Sequence, residues 1–394
     1  MNQCMHMPQF SALDPLMYSL FKGNTVQNET VMFLDRTDVK PLLYPIEQVI
    51  SVTSYDQTVT YEAGKDYTVA DGNLVLPEGS SIPCITREAY YNVPESILQT
   101  EYNGKNVLTH WGSYDPMNRW QINVTYTHAA SWDGFVQPDE SAYFARFLEK
   151  LKKGEDVTVF FYGDSITHGF DTSWMNDSGV RQYPYTILFT RALAELYGYT
   201  VRYQPSGITE PPIPQKLPET DYAAGTRGTI TYINTAIGGW TSLHAIDRFD
   251  DYVKKQIERY GCDLFVIAFG MNDGGWLPEV TNENITKVVD GVLEICPAAS
   301  VVLLSTMVPN PKATNGWYGY QEKQEPVLLK QAEAYRAAGV PCGVCRMTSL
   351  SLSILTRKDF YDYSGNNINH PNDFFGRVYA QTLLQTVVGY HVIG

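Results

Sequence analysis

The spacing of apolar residues changes character once along the chain. Between about Pro41 and His128 it has period two, in Val49-Ile50-Ser51-Val52-Thr53, Thr58-Val59-Thr60-Tyr61, Tyr67-Thr68-Val69, Leu74-Val75-Leu76 and Gln121-Ile122-Asn123-Val124-Thr125-Tyr126. Alternation of this kind predicts strands with one buried face, and Asp71-Gly72-Asn73 is a hairpin signal. A β-sandwich of jelly-roll type is expected there. The small and polar residues of Ala129 to Glu140, with Gly134 and Pro138, predict a linker. The expected division is therefore an accessory β domain over 1–135 and a second domain over 136–394.

Beyond the linker the period lengthens. Phe144, Phe147, Leu148 and Leu151 predict a helix over Ser141 to Lys153, stopped by Gly154. Near-continuous apolar strands then alternate with helical segments. Strands are expected near Val201, Thr229–Ile233, Leu264–Phe269, Val301–Thr306 and Val340–Val344. Helices are expected near Tyr183–Tyr197, Leu243–Tyr260, Asn282–Ile295 and Glu325–Ala338. Such alternation predicts an α/β fold with a parallel sheet covered on both faces.

At 394 residues and 44% hydrophobic the chain can bury a large core. Its net charge of −14, with no offsetting basic block, argues against a nucleic-acid partner and against an anionic membrane surface. A neutral substrate fits better. No stretch reaches the ~18 apolar residues of a membrane span, and Met1 to Phe10 lack the pattern of a secretory signal, so a cytoplasmic location is expected. Six scattered cysteines make no disulfide framework. Cys342-Gly-Val-Cys345 has metal-site spacing but no second ligand pair, and is expected to be a pair of buried thiols. Oligomeric state leaves no mark on the sequence.

The stretch most suggestive of chemistry is Val157 to Gly169, V-T-V-F-F-Y-G-D-S-I-T-H-G. A buried strand breaks at Gly163-Asp164 and delivers Ser165 at its carboxyl end, where open α/β sheets keep their sites. A serine hydroxyl is a poor nucleophile alone, so a histidine base and oxyanion donors are required elsewhere.

Gly163-Asp164-Ser165-Ile166-Thr167 resembles the first signature block of the SGNH, or GDSL, hydrolases. Asn234 to Gly239, Phe269 to Asp273 and Asn367 to Asn372 are similar to the three later blocks, in the same order. The resemblance implies a three-layer α/β/α domain. It also implies Ser165 as nucleophile, a backbone N–H of Gly239 (or Gly238) and the Asn272 amide as oxyanion donors, and His370 as general base. Asp164 and Asp273 would brace loops, and His168 would line the site or cap a turn. One departure stands out. The family usually carries Asp three residues before the histidine, and here the position is Asn367. Three arrangements are open: a Ser-His dyad oriented by a backbone carbonyl, which is favoured; Asn367 itself as orienter; or a carboxylate from elsewhere, such as Asp362.

Trp174, Trp240, Trp276 and Trp317 fall in loops expected to rim the site, where indole planes suit sugar C–H faces; at least two of them should instead anchor loops to the core. Trp111, Trp120 and Trp132 could face a glycan from the other domain, although core packing is the expected fate of most of them. A β domain before an SGNH domain resembles microbial carbohydrate acetylesterases of the family-2 type, with family-17 mannan esterases a second match. What the resemblance implies is a cofactor-free serine esterase removing O-acetyl groups from carbohydrates. Glycan O-acyl transfer and general short-chain ester or lipid hydrolysis are alternatives, and a non-enzymatic carbohydrate-binding protein is the contrasting class.

Overall fold

A computed structural model describes residues 20–93, 101–102, 105–110, 117–177, 180–206, 213–312 and 318–389. The N-terminal domain is built of small antiparallel sheets. Strands β1 (Thr25–Met32), β2 (Val39–Lys40), β3 (Gln48–Ser54), β4 (Thr68–Ala70), β5 (Asn73–Val75), β6 (Glu101–Tyr102), β7 (Lys105–Asn106) and β8 (Gln121–Thr127) pair in the orders β1-β8-β3, β2-β5-β4 and β6-β7. The hairpin signal is borne out. Ala70 pairs with Asn73 across a two-residue turn in which Asp71 and Gly72 have φ of 49° and 75°. These values suit the primed turn that matches strand twist. Thr58–Tyr61, expected as a strand, contributes only an isolated bridge between Thr53 and Thr60.

The second domain carries seven strands: β9 (Val157–Gly163), β10 (Thr200–Gln204), β11 (Tyr222–Ala223), β12 (Thr229–Asn234), β13 (Leu264–Ala268), β14 (Ser300–Ser305) and β15 (Cys342–Arg346). Their order is β11-β10-β12-β9-β13-β14-β15, with every pair parallel except β10 with β11. All seven residues of β9 are buried. Helices cover both faces, so apolar side chains leave the sheet in both directions into two large clusters. This is the continuous hydrophobic run that parallel strands require.

The connections locate the site. From β9 the chain runs outward to β10 and returns to pair β12 against one side of β9, then crosses to lay β13 against the other. The crevice beyond the carboxyl end of β9, between the loops after β12 and β13, is thus a topological switch point, the usual ligand position in such sheets.

The helix expected over Leu243–Tyr260 is interrupted: Ser242–Asp247 is α, Asp250–Lys254 is π, and Lys255–Tyr260 is α again. Cys342 and Cys345 share β15 but fall in opposite clusters, one on each face of the sheet, so they cannot bind one ligand together. Among the described residues, no helix is long and apolar enough to cross a membrane.

The two domains meet along a polar, buried seam. Lys358 pairs with Glu29 at 2.5 Å, both fully buried, and Lys40 with Asp362 at 3.0 Å. Burial of two charges is offset only when each finds its partner and further hydrogen bonds. Asp362 meets that condition by also accepting from the Met32 N–H.

Candidate active site

Ser165 opens a single-turn helix, Ser165–His168, immediately after β9. Asp164 caps it, its carboxylate accepting from the Ile166 N–H at 3.0 Å. Burial pushes the Asp164 carboxyl up to about 7, against the opposing effect of that N–H. Gly163 must lack a side chain. A Cβ there would sit 2.4 Å from Thr167 Oγ1 and 2.6 Å from the Ala268 carbonyl, so the turn could not close. Ser165 occupies the first helical position, whose N–H has no partner inside the helix and is available to a substrate oxygen.

The turn ends as abruptly as it begins. Gly169 (φ 105°) stops the helix by donating to the Ser165 and Ile166 carbonyls, and Phe170 N–H also donates to Ser165 O. Asp171 follows at φ 62°, a left-handed conformation that aspartate tolerates better than most residues. This tight reversal returns Asp171 towards the serine six positions before it.

His370 lies on a loop closed by a bridge between Ser364 and Pro371. The Asn366 side chain shapes it from within, its Oδ1 accepting from the N–H groups of Ile368, Asn369 and His370. Gly365 lets the loop press on Asp171, since a Cβ there would come within 2.6 Å of Asp171 Cβ.

The three side chains meet. His370 Nε2 is 2.8 Å from Ser165 Oγ, and His370 Nδ1 is 2.5 Å from Asp171 Oδ2. All three residues are buried. An ionised carboxylate only accepts, so Asp171 fixes the proton on Nδ1 and leaves Nε2 as the acceptor for the serine hydroxyl. The arrangement can take a proton from Ser165 and stabilise the imidazolium that results.

Of the three arrangements left open for His370, the carboxylate from elsewhere is the one present, but it is Asp171 and not Asp362; the favoured backbone carbonyl and Asn367 are corrected. No backbone carbonyl is needed, because a carboxylate occupies the place. Asn367 turns away: its amide donates to Tyr90 OH and the Leu108 carbonyl, and its oxygen accepts from Asn310. Asp362 is committed to Lys40 and Met32.

The loops after β12 and β13, the strands on either side of β9, flank the Ser165 turn. A Cβ on Gly238 would be 3.7 Å from Ser165 Cβ and 3.2 Å from the Phe170 ring, whereas Gly239 (φ 79°) faces open space. Asn272 donates to the Trp240 carbonyl at 2.9 Å, which ties the two loops together; an amide nitrogen carries two hydrogens, so one is left for a ligand. Asp273 braces this corner as expected, accepting from the N–H and hydroxyl of Ser242 and from Thr281.

Residues 161–374, more than half of the sequence, match the GDSL-like lipase/acylhydrolase family. The chain belongs to that family. No curated protein matches it. Among solved structures, a two-domain esterase active on acetylated mannans aligns at 18% identity and TM-score 0.42, over 63% of this chain and 54% of that one. The GDSL-family chain thus spans about half the length of that esterase. An acetyl xylan esterase aligns at 17% identity and TM-score 0.39, over 58% of this chain and 98% of its own. A lipase/acylhydrolase from Enterococcus faecalis aligns at 18% and 0.38, over 59% and 96%.

The aromatic residues of this GDSL-family chain divide as the loops do. Trp240 packs among Tyr162, His244 and Tyr252, and Trp174 bonds the Lys216 carbonyl while resting on Tyr183. Both are loop anchors. Trp276 is 36% exposed, four residues beyond Asn272, and remains a rim candidate. Trp317 and Trp111 lie outside the described residues. Trp132 packs between Phe21 and Arg357. His168 is buried, its Nδ1 against the Ala236 carbonyl and its ring edge-on to Phe170, which in turn leans on His370.

Two site residues escaped the sequence reading, Asp171 and Phe170. The signal for Asp171 was faint. His168-Gly169-Phe170-Asp171 places a carboxylate after a helix-stopping glycine, but nothing in the spacing says that the chain doubles back.

Proposed function

We propose that this protein is a serine esterase that removes O-acetyl groups from carbohydrates through an acyl-enzyme. The observation that carries the ester chemistry is the continuous chain Ser165 Oγ, His370, Asp171. Ser165 attacks the acetyl carbonyl as its proton passes to His370 Nε2. The N–H groups of Ser165 and Gly239 and the Asn272 amide hold the oxyanion. When the intermediate collapses, Nε2 returns the proton to the departing sugar oxygen. Water then adds by the same route and acetate leaves.

A side chain at Gly238 would come within 3.2 Å of the Phe170 ring and 3.7 Å of Ser165 Cβ, so the glycine leaves a small space beside the nucleophile, which supports a small acyl group. The exposed indole of Trp276, four residues after Asn272 in the chain, offers an apolar plane on which a sugar face can rest. Acetate release from a panel of acetylated xylan, acetylated mannan, acetylated monosaccharides and longer-chain lipid esters tests the reading. Turnover of acetylated sugars well above that of long-chain esters is expected. A preference for long acyl chains, or acylated sugar as the main product when a sugar acceptor is added, would overturn it.

Asn272→Ala should lower kcat by about 10² to 10³-fold, the usual effect of removing one oxyanion donor, with KM little changed. Steady-state kinetics on an aryl acetate measure both.

A further inference from the structure

The loop that carries His370 is held from outside its own domain. Gln121, on β8 in the centre of the three-stranded N-terminal sheet, is 1% exposed and reaches the base of this loop. Its Nε2 donates to the carbonyls of Tyr361 (2.7 Å) and Ser364 (2.8 Å), while its Oε1 accepts from Asn372 Nδ2 at 3.2 Å. Ser364 and Asn372 flank the histidine. The Ser364 hydroxyl donates to the His370 carbonyl at 2.8 Å, and Asn372 caps the last helix by accepting from Phe375 N–H. Thr30 on β1 adds to the same hold, donating to the Asp362 carbonyl and accepting from Asn372 at 2.9 Å.

We infer that Gln121 is a positioning residue for His370, and that the N-terminal domain serves the reaction by fixing the loop that presents the base. The inference rests on the esterase reading above. An amide is well matched to this position, because one nitrogen supplies two donors with an acceptor beside it, enough for two loop carbonyls and one amide hydrogen. Without it, the carbonyls of Tyr361 and Ser364 lose that buried donor, and the loop can shift to find others. Displacements of about 1 Å at a catalytic group cost on the order of 10²-fold.

The same strand supplies a control. Asn123, two residues along β8 and also buried, donates to the carbonyls of Ser54 and Tyr55, wholly within the N-terminal domain. Gln121→Met and Asn123→Leu each remove an amide that serves two carbonyls. The readouts are thermal midpoint, kcat and KM on an aryl acetate, and the low-field proton NMR signal of His370 Nδ1–H. For Gln121→Met we expect kcat to fall about 10²-fold with KM nearly unchanged and the low-field signal displaced. Asn123→Leu should lose a comparable midpoint while keeping kcat and the signal. Equal kcat in the two variants with the signal undisturbed would overturn the inference. If Gln121→Met fails to fold, Thr30→Val decides: it keeps the side-chain shape, and a full wild-type kcat and signal would count against the proposal. If the wild type turns over no ester, the esterase reading fails, and the low-field signal still reports whether Gln121 sets the imidazole.

Discussion

Ser165→Ala should abolish ester turnover, lowering kcat on an aryl acetate by about 10⁶-fold, the scale seen when the nucleophile of a serine triad is removed. The fold should survive. Alanine is the best helix former, and the cap on this turn comes from Asp164 rather than from the serine hydroxyl. Only the oxyanion donors and substrate binding remain in the variant, which is why the residual rate should still exceed that of water by about 10³-fold. A variant with unchanged thermal midpoint and near-wild-type turnover would mean that the chemistry lies elsewhere on the molecule.

Asp171→Asn should cost about 10⁴-fold in kcat. The amide fits the same space, but it can present an N–H to His370 Nδ1 and so favour the tautomer in which Nε2 carries the proton and cannot accept from Ser165. Asn367→Ala provides the contrast. Its side chain bonds Tyr90, Leu108 and Asn310, and its φ of 58° suits asparagine better than alanine. That variant should lose stability while retaining most of its turnover. The two substitutions made side by side separate a residue that orients the base from one that braces the loop. Equal losses in kcat would restore Asn367 as an orienter of the base, one of the arrangements the sequence left open.

Much of this site was legible in the sequence. The all-apolar run of β9 ending at Gly163-Asp164 placed Ser165 at a sheet's carboxyl end, and the order of the later blocks brought His370 to it. What failed was the identity of the third member. A motif three residues before the histidine directs attention to Asn367, yet the carboxylate arrives from a turn whose left-handed residues leave no periodic trace. Packing also reassigned residues that composition alone makes look functional. Trp174 and Trp240 carry the right chemistry for a sugar platform, but their rings are spent on Tyr183 and on Tyr162 and Tyr252.

The end of the chain was illegible for a different reason. The helix Asp373–Val388 has fifteen consecutive buried residues from Asp373 to Val387, so it shows no polar face and no amphipathic period. It buries polar groups by pairing them: Arg377 reaches the carbonyls of Gln27 and Asn28 in the N-terminal domain, and Gln182 Oε1 as well. The N-terminal strands read as an accessory unit because period-two alternation speaks only of a half-buried sheet. It cannot say what the sheet is packed on. Gln121 and Thr30, the residues that grip the His370 loop, look in sequence like ordinary members of two strands.

The most direct test of the central claim is covalent labelling with a serine-directed fluorophosphonate, followed by peptide mapping, in the wild type and in Asp171→Asn. The expected result is stoichiometric phosphonylation of Ser165 alone, slowed severely when Asp171 is replaced. Label on another residue, or labelling of Ser165 at the same rate in both proteins, would contradict a nucleophile activated by His370 and Asp171.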